Sequence, residues 1–417
     1  MKVLMPNHFP LQGSGSGIYA LNVAKELVRM GHEVLVIVPE HEEIPADRYS
    51  FPVEVILFDN GQNSTLAEAD FNFTCFTTHP RSVQTFYDLT DQQMAHYINL
   101  WRQHIGQAVQ SFQADVVHAH HVWVTPFVAS EIGLPNIISV HGTDLMGFRK
   151  GPRFRDIALS AAHGADGLIA ISRQVAADAI KTYQVPHKKV HLIWNGFDDN
   201  IFKVLPEVTK TSVFVEYGIE NDGSRPIVSF VGKFTDFKGI DVLLHAAAIY
   251  ERKIPGVQTV LVGHGQLWDQ MHLLRQELGL KQVYFLGHQP QHTVSKIYNA
   301  ADVSVVPSRV EPFGLVAVEA LACGTPVVAT NEGGLPDFIN EQVGALVPVD
   351  DHQALADAII VEISNDTKQT KGDYASQYAL EGFSWSMQVA KMVQLYEQTL
   401  AVRKMSNPHN DPRVLND

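Results

Sequence analysis

Short β-branched runs alternate with amphipathic stretches along almost the whole chain. In the first half, Val3–Met5, Glu33–Val38, Val53–Leu57, Val116–Ala119, Asn136–Val140, Gly167–Ile171 and His191–Trp194 read as strands. Between the first two, Ile18, Leu21, Ala24, Leu27 and Val28 share one helical face, which predicts a helix over Ile18–Met30 ended by Gly31. The second half repeats the theme. Ile227–Val231, Thr259–Val262, Val283–Phe285, Val303–Val306, Pro326–Ala329 and Ala345–Val347 read as strands. Ile240–Arg252, Trp268–Leu278, Val316–Ala322 and Gln353–Ser364 read as helices. Alternation of this kind implies βαβ units and parallel sheets. Asn195 to about Ser224 has no clear period and reads as a connection between two domains, with room for a short helix. Asn60–Thr90 is irregular and long for a βα connection, a length that often marks a functional loop. A stripe of Val389, Met392, Val393, Tyr396 and Leu400 predicts a long terminal helix over Trp385–Arg403. The expected division is 1–198, 199–385, a terminal helix over 386–403 and a polar tail over 404–417.

Composition narrows the class. With 417 residues, 45% hydrophobic and 18% charged, the chain can build buried cores in two or three domains and is not a disordered sequence. Its net charge of −14 argues against a nucleic-acid binder that relies on a global basic field. The two cysteines, Cys75 and Cys323, lie far apart and offer neither a disulfide framework nor metal-ligand spacing. No signal-peptide pattern opens the chain, and no run reaches the roughly 18 apolar residues of a spanning helix. The expectation is a cytoplasmic protein, with peripheral attachment to a membrane surface left open.

The densest chemical signal runs from Pro307 to Glu319, Pro-Ser-Arg-Val-Glu-Pro-Phe-Gly-Leu-Val-Ala-Val-Glu, and continues through Ala322-Cys323-Gly324-Thr325-Pro326. A strand enters a loop bearing Glu311, and Gly314 opens a helix bearing Glu319. Unsatisfied N–H groups and the dipole at such a helix start suit a diphosphate. The two carboxylates flank that site and can accept hydrogen bonds from sugar and ribose hydroxyls. A bland helix cap explains a generic loop of this kind as well.

This run resembles the Glu-x7-Glu motif of retaining glycosyltransferases of family four, which share the two-domain GT-B fold. Further matching pieces follow in the family's order: Gly15-Ser16-Gly17, Gly31-His32-Glu33-Val34, His118-Ala119-His120-His121, His141-Gly142-Thr143-Asp144, Asn195-Gly196-Phe197-Asp198, Val231-Gly232-Lys233 with Lys238-Gly239, Gly263-His264-Gly265 and Gly333-Gly334-Leu335-Pro336. The resemblance implies two Rossmann-like parallel-sheet domains facing across a cleft, with the terminal helix crossing back to the first.

It also implies roles. Lys233 and Lys238 stand where a basic pair clamps the donor diphosphate, which would remove the need for a metal. Lys233 departs from the family's usual Arg and supplies a point charge without a fork. Gly232, Gly314, Leu315, Val316 and Glu319 belong to the same donor set, with Glu319 on the ribose. Gly15 and Gly17 are placed where backbone approaches phosphate or acceptor; their spacing does not fit a dinucleotide fingerprint. His141 and Glu311 are the catalytic candidates that position the sugar. His118, His120 and His121 invite a metal reading, but a structural or cleft-lining role outweighs it because no third ligand has evident spacing. Acceptor contacts are assigned to Arg81, in the polar Thr77–Ser82 segment, and to Arg149 and Arg153. The latter two belong to a basic group with Lys150 and Arg155, for which a solvated helix start is the bland alternative.

The implied activity is transfer of a hexosyl unit from a nucleotide-sugar to a hydroxyl, with retention and without a cofactor or metal. UDP-glucose or UDP-N-acetylglucosamine is favoured, with GDP-mannose and ADP-glucose open. The acceptor is a sugar, sugar phosphate, lipid or growing polysaccharide. The rival readings are a GT-B phosphorylase or epimerase, a non-catalytic nucleotide-sugar-binding subunit and a Rossmann dehydrogenase.

Overall fold

The computed structural model describes residues 1–62, 65–76, 79, 81–82, 84–364 and 368–406. The chain divides into two compact units, Met1–Trp194 with the terminal segment from Gln388, and Asn195–Met387.

The first unit is built on seven strands: β1 Lys2–Pro6, β2 Glu33–Glu40, β3 Val53–Leu57, β4 Val116–His120, β5 Asn136–Val140, β6 Gly167–Ala170 and β7 Val190–Leu192. They pair in the order β3-β2-β1-β4-β5-β6-β7, and every pairing is parallel. The second unit has six: β8 Ile227–Val231, β9 Gln258–Val262, β10 Val283–Gly287, β11 Val303–Val306, β12 Val327–Thr330 and β13 Gly344–Val347. These pair in the order β10-β9-β8-β11-β12-β13, again all parallel. Helices cover both faces of a sheet of this type, so its central strands are buried on both faces and mostly apolar rather than alternating. Val3, Leu4 and Met5 in β1 and Val303–Val306 in β11 are all buried.

Each sheet reverses its strand order once, between β1 and β4 and between β8 and β11. Ligands of doubly wound folds bind beyond the carboxyl ends of the strands at such a reversal. In the first unit those ends lead into Asn7–Gly17 and His121, and in the second into Gly232–Lys238 and Pro307–Glu311. Chain topology therefore gathers the motifs of each unit around its own switch point.

The expected first helix runs over Gly15–Arg29, three residues earlier than the apolar stripe indicates, because Ser14 caps it by accepting from the Gly17 N–H at 3.0 Å. The irregular segment after β3 ends at Thr90, whose capping box with Gln93 starts the helix Asp91–Phe112. A short helix, Lys210–Phe214, lies in the predicted connection. The terminal helix spans Trp385–Ser406. From Gln388 it belongs to the first unit, where Tyr396 is fully buried with its hydroxyl 2.6 Å from His118 Nδ1. Arg403 adds two hydrogen bonds to Asp166, at 2.9 and 2.8 Å. Residues 407–417, within the predicted polar tail, lie outside the described residues. Among the described residues no helix is long and apolar enough to cross a membrane.

Candidate active site

In the second unit, β8 ends at Val231 and the chain passes through Gly232-Lys233 into a single 3-10 turn, Asp236–Lys238. Gly239 follows with φ +61°, and a Cβ there would lie 2.0 Å from the Pro307 carbonyl oxygen. Only glycine allows the turn that carries Lys238 to press against the loop that carries Glu311. The result is a contact of 2.6 Å between Lys238 Nζ and Glu311 Oε2. Ser308 Oγ donates to the same oxygen at 3.2 Å. On the other side, Gly334 N–H donates to the Glu311 carbonyl at 3.0 Å, and a Cβ on Gly333 would come within 1.9 Å of that carbonyl. The Gly-Gly-Leu-Pro motif thus clasps the backbone of Glu311. The structure brings Lys238 and Glu311 together as an ion pair, where the sequence assigned them to separate ligand groups. Lys233 is exposed and makes no ion pair among the described residues.

Gly314, at φ +106°, precedes the helix Leu315–Ala322, whose amino end has no side-chain cap and no acidic residue in its first turn. The first N–H groups of that helix, at Leu315 and Val316, are the unsatisfied donors that an anion can take. Glu319 stands one turn further along. Burial pushes its carboxyl up to about 8, so at neutral pH it is largely protonated. Beside it the Tyr298 hydroxyl is buried with no hydrogen-bond partner among the described residues, and burial, followed by the Glu319 charge, raises its pKa.

In the first unit, His141 follows β5 and its Nε2 lies 3.1 Å from His120 Nδ1. The rings of Tyr19 and His121 pack on it at 4.9 and 4.7 Å. Burial lowers the His141 pKa to about 3, which keeps the imidazole neutral. His118 serves structure. Its Nε2 lies 2.8 Å from Ser139 Oγ and its Nδ1 meets Tyr396, so the terminal helix is wired to β5. His121 holds a left-handed backbone at φ +68°, and neither of its ring nitrogens has a hydrogen-bond partner among the described residues. No group of three or more metal-ligating side chains forms among the described residues.

The two glycines of the first loop differ. A Cβ on Gly17 would sit 2.1 Å from the Pro10 carbonyl oxygen, whereas Gly15 faces open space. The close approach that Gly17 permits within its own unit is therefore to the chain itself.

The three arginines expected to contact the acceptor each pair with a carboxylate. Arg81 donates from both terminal nitrogens to Glu40, at 2.7 and 3.0 Å. Arg149 pairs with Asp178 at 3.1 Å, and Arg153 is bound by Asp91 and the Leu89 carbonyl. Each is already partnered by an acceptor of its own unit, because the carboxylates come from elements that the sequence pattern did not place beside them. Thr77, Thr78 and Pro80 of the polar segment lie outside the described residues.

Sequence reasoning passed over Arg309. Its guanidinium meets Asp236, Asp241 and Asp350. The available signal was an arginine in the Pro307–Glu319 run, two residues before Glu311.

Comparison with known proteins reaches the same place. The model for Glycosyltransferase Family 4 matches residues 13–201 and that for Glycosyl transferases group 1 matches residues 218–379. An uncharacterized glycosyltransferase of Methanocaldococcus jannaschii is 30% identical over 80% of each chain. The chain belongs to glycosyltransferase family 4. The D-inositol 3-phosphate glycosyltransferase of Mycobacteroides abscessus is 31% identical over 76% of this chain and 72% of its own. Among solved structures, sucrose-phosphate synthase of Thermosynechococcus elongatus superposes with a TM-score of 0.75 at 23% identity, covering 96% of this chain and 100% of its own. HepE of Anabaena, solved in complex with UDP, gives 0.72 at 21% identity, covering 95% and 100%. The fold is GT-B, with a seven-stranded and a six-stranded Rossmann-like unit. The protein is a glycosyltransferase of that type.

Proposed function

We propose that this family-4 member transfers a hexosyl unit from a nucleotide-sugar to an acceptor hydroxyl with retention, and needs no metal for the step. The observation that carries the reading is the Lys238–Glu311 pair held beside the uncapped helix that bears Glu319. A leaving diphosphate needs positive charge and oriented N–H donors. Lys238, Lys233, Gly232 and the N–H groups of Leu315 and Val316 are of that kind. As the diphosphate takes Lys238, Glu311 is released to accept hydrogen bonds from sugar hydroxyls. Glu319, neutral or charged, can bond both hydroxyls of a ribose. In the first unit burial keeps His141 neutral, so it can offer a hydrogen bond without adding charge.

Retention follows in this reading from displacement on one face, with the departing phosphate accepting the proton of the acceptor. The anomeric C–O bond to phosphate breaks as the new C–O bond to the acceptor forms. UDP-glucose is the favoured donor, supported by the UDP-bound and UDP-glucose-bound HepE structures on the same fold. The inositol phosphate in the names of several relatives supports a small polyol or sugar phosphate as acceptor. A thermal-shift screen of UDP-, GDP- and ADP-sugars, followed by product analysis by NMR, tests the reading. One nucleotide class should raise the midpoint, and the product anomer should match the donor. Near-normal transfer by Lys238→Ala or Glu319→Ala would overturn the assignment of the site.

A further inference from the structure

We infer that Arg309 is a positioning residue for the donor clamp, fixing Lys238 against Glu311 and neutralising the carboxylates that surround them. The inference rests on the nucleotide-sugar reading of the site and deepens it.

Lys238 sits at the end of a three-residue 3-10 turn, which makes few internal hydrogen bonds. The neighbouring Phe237 is 52% exposed, so packing does little to hold the turn. Arg309 holds it instead, from the opposite loop. Its backbone N–H donates to the Phe237 carbonyl at 2.8 Å, and its Nη1 donates to the Asp236 carbonyl at 2.8 Å. Nη1 and Nη2 also form a fork on Asp241, at 3.0 and 2.6 Å, in the first turn of the helix Ile240–Lys253 that follows. Nε donates to Asp350 at 2.6 Å, just beyond β13. One side chain therefore joins the turn after β8, the helix behind it, the loop after β11 and the segment after β13. Since Glu311 lies two residues along the same loop, Arg309 sets the spacing between cation and carboxylate.

Charge gives a second reason. Asp236, Asp241 and Asp350 surround the turn with three negative groups, and a diphosphate bound at Lys238 would be repelled by them. The guanidinium offsets part of that repulsion. A planar fork is needed to reach Asp241 through two nitrogens and Asp350 through the third, which lysine cannot reproduce.

The test is calorimetric titration of the full chain with UDP, GDP and ADP. The nucleotide bound by the unaltered protein is then titrated into Arg309→Met, Arg309→Lys, Lys238→Ala and the Lys238→Ala/Arg309→Met double variant. Charge-assisted hydrogen bonds of this kind correspond to about 10- to 100-fold in affinity. Arg309→Met should weaken binding by about that factor, and Arg309→Lys, which keeps the charge but loses the fork, by roughly 3- to 10-fold. If Arg309 acts through Lys238, adding Arg309→Met to Lys238→Ala should cost less than about 3-fold more, since the two changes remove one function. A merely structural arginine would lower the thermal midpoint of both backgrounds alike and leave the two binding losses multiplicative. Binding unchanged in a folded Arg309→Met protein, or fully multiplicative losses, overturns the inference while the site assignment stands. If Arg309→Met does not fold, unchanged affinity in Arg309→Lys overturns it equally. If the unaltered protein binds none of the three nucleotides, both the site assignment and the inference fall.

Discussion

Replacing Glu319 by Gln separates burial from charge at the centre of the site. Gln has nearly the same volume and is neutral at every pH. In the folded protein burial holds the Glu319 carboxyl near pKa 8, against an ordinary value of 4.5. A carboxyl with a raised folded pKa binds its proton more tightly when folded. Its charged form is then penalised, and stability is lost as pH climbs from about 4.5 to about 8, then levels off. At about 1.36 kcal/mol per unit the shift has a ceiling of roughly 5 kcal/mol. Glu319 keeps partial exposure, so solvent screening reduces this to about 2–3 kcal/mol. In a unit the size of Asn195–Met387, each kcal/mol moves the melting midpoint by about 2–4 °C. The assay is thermal unfolding of the unaltered protein and Glu319→Gln at closely spaced pH values from 4 to 9. The variant should gain about 4–12 °C on the unaltered protein between pH 4.5 and 8, with the two curves parallel outside that window. Curves parallel throughout would refute the claim that Glu319 is held protonated, and with it the picture of a neutral hydrogen-bonding partner for a ribose.

Other consequences follow from single contacts. Gly239→Ala places a Cβ against the Pro307 carbonyl at a left-handed φ, and should cost about 1–3 kcal/mol with loss of transfer, whereas Gly15→Ala, facing open space, should stay within ~1 kcal/mol; denaturant unfolding distinguishes them. Tyr396→Phe removes the partner of the buried His118 Nδ1 and should destabilise the first unit by about 1–3 kcal/mol, read as faster hydrogen exchange in the terminal helix; unchanged protection there would count against the wiring. His104 lies between Glu54 at 2.5 Å and Glu68 at 2.8 Å; burial alone would lower its pKa, but these carboxylates override it and raise the value. That stabilisation is complete below the ordinary histidine pKa of 6.5 and is lost as pH rises through the folded value. Thermal unfolding of His104→Gln should therefore lag the unaltered protein at pH 5.5 and approach it at pH 9.

Read without a structure, the chain already declares its two parallel sheets. The central strands fall on runs rich in Val, Ile and Leu because a strand buried on both faces is mostly apolar, and that constraint is local. Helix starts were less legible. Ser14 and Thr90 begin helices through their own caps, before any apolar stripe appears. The residues around Glu311 and Glu319 were visible for the same local reason as the strands: glycines and carboxylates at fixed spacing along one segment.

What each side chain meets was decided elsewhere. Lys238 and Glu311 are 73 residues apart, and their pairing depends on β8 and β11 lying side by side at the point where the strand order reverses. The partners of Arg81, Arg149 and Arg153, the three aspartates around Arg309 and the burial that raises Glu319 all come from distant elements. Hydrophobic periodicity follows from the backbone repeat of one segment and is written in the sequence. Charge pairing and desolvation depend on which segments the topology brings together, and only the tertiary structure sets them.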